Sequence, residues 1–540
     1  MNKKIIKFFA CALVGIMTFS GCQKGNDKPQ SNSQNTKQKE QEKPKSKHVE
    51  TLKLEGGVNW GMGNPYLHDP RGPGSQKTMF VFDTLLTEDL KGKVQLLAKE
   101  WKINDKEYTF ILNDNIKWHD GKPLTANDVA FTIDYQIKHP PVSARLGNLK
   151  KNIIDSYEVV DEKTIKIKVK ELAADTLDKL GGFYILPKHI WEKVEDPAKY
   201  TAPEAFIGSG PYKWGKYDGA TGSYEFIANK EYYGRKPVAD RVLFIPVSNS
   251  TLAFENGEID LTGVPADLLK KYENDKRVKV IPNKDDFGFK MVINMDKKPE
   301  FKDINLRKAL YAAIDREAIV EKIFRGQGSV GSAGFTPKSA KTYNEKTVEY
   351  KYNPEEAKKA FEGKNISINI LAGAGGDANN LKMAELIKND LEKAGIKVTI
   401  TAVDRKVRDD RVIKQDFEFA IVENGGWASG LSTQLTSLFN DKTKYKGKGP
   451  GSMGAVGYTN DAVTELCIKQ QKETDINKRI EMLKEIQLRV SQEVPMIFLA
   501  TKSSYSMYKP EYYDGWQMTF SSTHMTQIKL SYVEKLPTDN

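Results

Sequence analysis

The stretch Leu97–Phe131 reads LAKEWKINDKEYTFILNDNIKWHDGKPLTANDVAF and holds three structural signals in one run. Tyr108–Leu112 is rich in aromatic and β-branched residues, which suit a pleated, half-buried surface, and predicts a strand. Trp118-His-Asp-Gly121 reads as a turn after a strand, with His119 in a structural role. Thr125-Ala-Asn-Asp128 is a capping box, in which the hydroxyl and the carboxylate satisfy backbone amides that an emerging helix leaves free. Val129, Ile133 and Ile137 follow at the spacing of one helix face.

Outward from this stretch, strand and helix patterns alternate. Ile165, Ile167 and Val169 alternate with Lys166, Lys168 and Lys170, the mark of a half-exposed strand. In the second half, Ile366, Ile368 and Ile370 suggest a strand, Leu381–Lys393 a helix and Ile396–Val403 a strand. A short helical stretch and the apolar strand Phe417–Val422 come next. This βαβαβ order predicts a parallel sheet covered by helices. A mixed first half and an α/β second half imply at least two lobes. No repeat of fixed period is present.

The chain has 540 residues, room for several domains, and 39% hydrophobic residues, enough for large cores. Its net charge of +11 would suit an anionic partner if it lay on the body. It does not. Residues 1–22 hold 3 Lys and no acid, and residues 23–48 hold 7 Lys against 3 acids. The remainder, 73 basic against 69 acidic residues, is nearly balanced and gives no support for a nucleic-acid partner.

Residues 1–22 read as an export signal. Lys3, Lys4 and Lys7 precede a short apolar core, Phe8–Phe19, too short for a lasting transmembrane helix. Ser20, Gly21 and Cys22 resemble the lipobox of bacterial lipoproteins, although Phe19 stands where Leu is usual. The resemblance implies cleavage before Cys22 and a lipid on its thiol. Residues 23–48 lack Leu, Ile, Val and aromatic side chains and predict a disordered tether spanning on the order of 30 Å. Only Cys467 then remains in the body, so no internal disulfide can form, and Cys467 is expected to be a small packing residue.

Several catalytic patterns are absent: G-x-S-x-G, H-E-x-x-H and the Walker A loop. The six His, at 48, 68, 119, 139, 189 and 524, include no pair at metal-ligand spacing. Gly326, Gly328 and Gly331 match G-x-G-x-x-G but follow a helix, the wrong context for a dinucleotide. Gly373, Gly375 and Ala378, with Asp404 closing the next strand, imitate such a site more closely. An exported protein rarely meets that cofactor, and the plainer reading is a flexible turn. No cofactor is expected.

The Leu97–Phe131 stretch resembles a signature of the bacterial extracellular solute-binding proteins of family 5, the oligopeptide, dipeptide and nickel-chelate receptors of ABC importers. Further segments match in the family's order. Ile207-Gly-Ser-Gly-Pro-Tyr212 resembles its GTGPY segment, and Ala228–Arg241 its Asn-x-x-Tyr-Trp-x-Gly-x-Pro motif. Ala253–Ile259 resembles its Gly-Glu helix, Phe301–Val320 is a close match, and Gly425-Gly426-Trp427 resembles its Gly-Trp at the cleft. In Phe301–Val320, Asp303 and Asp315 stand at helix caps, while Leu306, Leu310 and Ala313 share a face.

The resemblance implies an α/β, two-lobed periplasmic-binding-protein-like fold (type II, cluster C) with an extra N-terminal subdomain. By analogy, residues 49–291 form the first lobe, with a subdomain at 94–205. Residues 292–500 form the second lobe, and 501–540 return to the first. The ligand is enclosed when the lobes close. Two segments are expected to supply contacts. In Asn59–Arg71, after the first strand, the candidates are Trp60, Tyr66, His68 and Arg71, the last able to pair with a carboxylate. In Glu423–Gly430 they are Asn424, Trp427 and Ser429. Oligopeptide receptors carry an Asp three residues past this Trp for the peptide amine. Gly430 stands there and cannot carry charge, so a free-amine site of that design is not expected; Glu423 is the carboxylate of this segment that could substitute for it.

The expected function is a lipid-anchored, non-enzymatic receptor on the extracytoplasmic face of the cell membrane. It would bind a peptide or similar small solute and deliver it to an ABC permease and its ATPase, acting as a monomer. A nickel or other metal-chelate receptor is the alternative, with His68 the one His to nominate. An extracytoplasmic peptidase is remote.

Overall fold

The computed structural model describes residues 48–69, 72–89, 92–142, 153–374, 379–425, 435, 438–439, 454–516 and 529–530. Val49–Glu55 (β1) buries Val49, Leu52 and Leu54. Helix Gly72–Val81 (α1) and the hairpin of Leu86–Asp89 (β2) with Gly92–Gln95 (β3) follow.

Next comes the segment on which the sequence reading rested. Ala98–Asn104 (β4), Glu107–Leu112 (β5), helix Ala126–Lys138 (α2), Ile154–Val159 (β6) and Thr164–Val169 (β7) make one unit. The strands form a separate antiparallel sheet in the order β4-β5-β7-β6. Ile165, Ile167 and Val169 join Val129 and Ile133 of α2 in one buried cluster, with Ile137 packed at its edge. Lys168, between them in sequence, is exposed. The capping box forms: Thr125 N–H donates to Asp128 Oδ2 at 2.9 Å and Asn127 N–H to Thr125 Oγ1 at 3.3 Å. Such a cap is worth about 1 kcal/mol.

Short helices Thr176–Gly181 (α3) and Lys188–Trp191 (α4) lead out of this unit. Tyr212–Asp218 (β8), Ser223–Ala228 (β9), Ala239–Ile245 (β10), helix Ser250–Glu255 (α5), Leu261–Gly263 (β11) and helix Leu269–Glu273 (α6) come next. Then the chain enters Lys279–Ile293 (β12), helices Ile304–Ala313 (α7) and Arg316–Phe324 (α8), Gly328–Val330 (β13) and helix Pro354–Phe361 (α9). Ser367–Ala374 (β14), Asn379–Lys393 (α10), Lys397–Asp404 (β15), Arg405–Ile413 (α11) and Phe419–Gly425 (β16) realise the expected βαβαβ unit. Helices Asp461–Lys472 (α12) and Ile476–Glu493 (α13) precede Ile497–Tyr508 (β17).

Pairing within the unit is parallel, β14 lying between β15 and β16. Strand β16 starts two residues later than the apolar run suggests. Asn294 Nδ2 donates to the carbonyls of Gln415 and Phe417, each at 3.0 Å, which keeps that approach out of the ladder. The expected caps are in place: Asp303 accepts from Asn305 N–H and Asp315 from Ala318 N–H, each at 2.9 Å. Leu306, Leu310 and Ala313 are buried, and so is Cys467 in α12.

The main sheet runs β15-β14-β16-β12-β17-β11-β1-β10-β9-β8, with β13 also on β17. It serves two lobes. One large apolar cluster gathers around β14, β16, α7, α10 and α13, and another around β1, β8, β9 and β10. Strands β12 and β17 belong to both. Phe287–Met291 of β12 face Ile497–Lys502, whereas Lys279–Asn283 face Ser504–Tyr508, and the register shifts between Asn283 and Phe287. At this break Asp285 adopts φ 52°, unusual for a residue with a Cβ. Its buried carboxylate accepts from the hydroxyls of Thr501 and Ser339, and its amide donates to Ser503 Oγ at 3.2 Å.

The glycines of the first G-x-G-x-x-G pattern serve this region. Gly326 takes φ 76° as the chain leaves α8. A Cβ on Gly331 would stand 2.3 Å from the carbonyl oxygen of Phe498, because β13 lies so close on β17. Gly331→Ala should therefore destabilise the protein by about 1–3 kcal/mol through forced backbone displacement, read as a lower denaturant midpoint.

The turn at His119 stitches the small unit to the first lobe. Gly208 N–H donates to His119 Nδ1 at 3.3 Å, so Nε2 carries the hydrogen and donates to Gly210 O at 2.9 Å. Burial holds its pKa down at about 4, from an ordinary 6.5. The unfolded chain thus binds a proton, as pH falls below 6.5, that the folded chain refuses until about 4. Stability contributed by neutral His119 is present above 6.5 and lost as pH falls toward about 4. His119→Gln should flatten the stability-versus-pH curve in this window, measured by denaturant titration at each pH.

Candidate functional site

The loop after β1 folds back on itself. Gly61 bridges His68 in antiparallel fashion, and Met62 N–H donates to Leu67 O at 3.0 Å. Asn64, fully buried, turns the tip: its Oδ1 accepts from the amides of Tyr66 and Leu67, each at 2.9 Å. Gly61 has φ 75°, and a Cβ there would lie 2.4 Å from Leu67 O, so glycine is required for this closed hairpin. Trp60 N–H donates to Tyr224 Oη at 2.6 Å, and Asn59 Oδ1 accepts from Tyr217 Oη at 2.8 Å. The loop is thereby bound to β8 and β9.

Its four candidate residues fare differently. Trp60 is half-buried against the first-lobe core. Tyr66 is inside that core, its ring 5.4 Å from Trp191 and 6.0 Å from Tyr135, with its hydroxyl donating to His139 O at 3.0 Å. Burial raises the pKa of that hydroxyl. His68 is buried, with Nδ1 2.6 Å from Asp69 O, and burial lowers its pKa. Arg71 lies outside the described residues.

Beside the loop is a cavity of about 540 Å³, lined by Met62, His119, Phe206, Lys213, Trp214 and Tyr217 among others. Phe206 and Trp214 stack with centroids 5.0 Å apart and planes at 13°. Lys213 Nζ is spent on His119 O at 3.0 Å. Sequence reasoning did not select Phe206, Trp214 or Tyr217. The available signal was the alternation Tyr212, Trp214 directly after the Gly-Pro of the 207–212 segment.

On the other lobe, the parallel strands β14, β15 and β16 end together, the place where open α/β sheets present ligand-binding loops. Here Glu423 is already engaged. Arg408 Nη1 lies 2.6 Å from its Oε2, Arg405 Nη2 lies 3.1 Å from its Oε1, and Asn380 Nδ2 donates to the same carboxylate. Arg408 is fully buried and also bonds Asp409. The carboxylate that could have substituted for the missing acid at Gly430 is therefore held by two guanidinium groups. The lone Gly373 of the second glycine pattern packs in β14 beside Arg408, while Gly375 and Ala378 fall outside the described residues. Asn424 pairs with Gly288 through its backbone. Its side chain, Trp427, Ser429, Gly430 and Cys22 likewise fall outside them.

Among the described residues, no group of three or more His, Cys, Asp or Glu side chains could hold a metal ion, and no helix is long and apolar enough to cross a membrane.

Comparison with known proteins places this architecture. Residues 94–446 match the family model of bacterial extracellular solute-binding proteins, family 5, middle region. The oligopeptide-binding protein AppA of Bacillus subtilis is 26% identical over 84% of this chain and 86% of its own length. The dipeptide-binding protein of Escherichia coli is 24% identical over 77% and 82%. The structure of AppA of Bacillus subtilis in complex with a nonapeptide superposes with a TM-score of 0.68, covering 91% of this chain and 99% of that one at 21% identity. NikA of Brucella suis in complex with Fe(III)-EDTA gives 0.73, covering 88% and 99% at 21% identity. The chain belongs to the bacterial extracellular solute-binding proteins of family 5, receptors rather than enzymes, and is the substrate-binding protein of an ABC transporter.

Proposed function

We propose that this receptor is anchored by a lipid on Cys22, captures peptides between its lobes, and passes them to a membrane permease driven by its ATPase. The observation that carries the reading is the pair of long strands, β12 and β17, joining two lobes with separate cores through one interrupted ladder. A hinge of this kind lets two preformed surfaces close on a solute. We place the passage between lobes near residues 284–286 and again near 503, where the ladder breaks. The loop bearing Trp60 and Met62 and the end of β16, with Trp427 beyond it, supply the opposed walls.

Relatives named for oligopeptide and dipeptide binding support peptides as the solute class. The engaged Glu423 and the Gly at 430 argue that a free amino terminus is not held by a dedicated carboxylate in this segment. Mass spectrometry of small molecules released on denaturing the natively purified protein should show peptides. Titration with pools of di- to hexapeptides should change the fluorescence of Trp60 and Trp427. A metal complex in the released fraction, with no response to any peptide pool, would overturn the peptide reading in favour of a chelate. For the anchor, Cys22→Ala should move the protein from the membrane fraction to the soluble exported fraction. Retention of that variant on the membrane would remove Cys22 from its role.

A further inference from the structure

The walls of the cavity beside the β1 loop come from three places. Met62 belongs to that loop, His119 to the turn of the small unit, and the rest to the run from Thr201 to Tyr217 that leads into and forms β8. Among the described residues, none from 292–500 lines it. Strand β8 ends the main sheet and pairs with β9 alone among the described strands. The cavity therefore lies along a free sheet edge. Lys213 and Trp214 are neighbours that point to opposite faces of their strand, and both line the cavity because it wraps that edge.

Its aromatic floor is held in shape. Trp214 stacks on Phe206, while Phe226 meets the indole edge-on at 5.4 Å and Tyr224 at 6.2 Å. A Cβ on Gly63 would stand 2.5 Å from Trp214 Cζ3, so the β1 loop closes on the indole rim. Asn59 fixes the hydroxyl of Tyr217. Met62, Trp214 and Tyr217 pack on the first-lobe core yet stay partly exposed. One charge shares this space. Lys213 is half-buried, and its bond to His119 O uses one of three ammonium hydrogens on a neutral carbonyl. No Asp or Glu is among the lining residues. Glu225, across on β9, is held by Arg241 Nε at 2.9 Å and Nη2 at 2.6 Å, and Asp120, next to His119 in sequence, lies 2.8 Å from His189 Nε2.

We infer that this cavity is an accessory binding site for a small aromatic carboxylate, distinct from the space between the lobes. The ring lies on the Phe206–Trp214 floor, and the carboxylate meets the remaining hydrogens of Lys213. Preformed rings receive another ring in offset or edge-on contact without first having to be ordered. The lone cation sets the sign of the ligand: an acid gains a partner, a neutral analogue gains only the rings, and an amine is repelled. A volume of about 540 Å³ is within the range of small-molecule sites. Met62 lies in the loop that we assign to the wall between the lobes, so the two spaces adjoin there. The described walls of this one belong to the first lobe and the small unit, and occupancy does not require the lobes to close.

The test uses the full chain with 3-indolepropionate as probe, followed by isothermal titration calorimetry and saturation-transfer NMR. One acid should bind per chain. Its neutral amide should bind about tenfold more weakly, the scale of one charge-assisted hydrogen bond, and tryptamine should not bind. Lys213→Met should bring acid and amide to equal affinity, whereas Lys213→Arg should keep the preference for the acid. Thr201→Trp, at an exposed rim position, should fill the cavity and abolish binding of the acid with the thermal midpoint unchanged. The acid is measured without peptide, so failure of the peptide reading leaves this test standing. Where peptide pools do bind, they should leave the acid in place, and their response should persist in Thr201→Trp. No binding of the acid to the native protein would overturn the site. So would equal affinity for acid and amide in the native protein, unchanged binding in Thr201→Trp, or displacement of the acid by the peptide pools.

Discussion

The interrupted pairing of β12 with β17 is the constraint on which the rest depends. Two strands cross from one lobe to the other, and both must satisfy their backbone groups on the way. A continuous ladder would make one stiff sheet. Here the ladder stops at Asn283, resumes at Phe287, and Asp285 fills the gap with a left-handed backbone. The hydroxyls of Thr501 and Ser339 and the amide-to-Ser503 bond replace the missing ladder bonds. Strand β13 adds a further layer of order on the second-lobe side, and its glycines exist because that approach leaves no room for a side chain. The break is thus a defined structure rather than a loose linker.

Several ionisable groups near the candidate segments are already engaged by the protein itself. Glu423 is shared by Arg405 and Arg408, Lys213 is bonded to His119 O, and His119 is fixed neutral. The cavity beside the β1 loop combines Met62, Phe206, Trp214 and Tyr217 with the polar side chains of His119, Thr201 and Lys213. Such a surface gains by removing apolar area from water and fixes orientation with few polar groups.

The local elements were legible in the sequence wherever one physical pattern dominated. The Thr125–Asp128 box, the Asp303 and Asp315 caps, the Ile/Lys alternation of β7 and the βαβαβ order each encode a single local rule. The strands β12 and β17 were harder, because each passes from one environment to another and loses a steady alternation midway. Residues 279–293 include Lys290 and the bulged Asp285, both buried, which no period-two reading would place in a core strand. Tyr66 shows the limit for the site. In a Gly- and Pro-rich loop it reads as an exposed contact, yet its ring is received by Tyr135 and Trp191 from distant parts of the chain. Only tertiary packing reveals that. The glycine pattern at 326–331 shows the converse, since its spacing imitates a phosphate loop while its causes are a left-handed helix exit at Gly326 and strand-on-strand proximity at Gly328 and Gly331.

The lobes' hydrophobic clusters are each complete in themselves, one around β14 and β16 and one around β1 and β10, with a third in the small unit. A hinge motion that keeps each cluster intact exposes and covers only rim surface. The free energy of unfolding and the free energy of closing are then set by different atoms. Core sequence can drift for robustness while the rim drifts for solute choice, and neither change forces the other. That separability gives a physical reason why one architecture can accept relatives named for oligopeptides, dipeptides and metal complexes at such low identity.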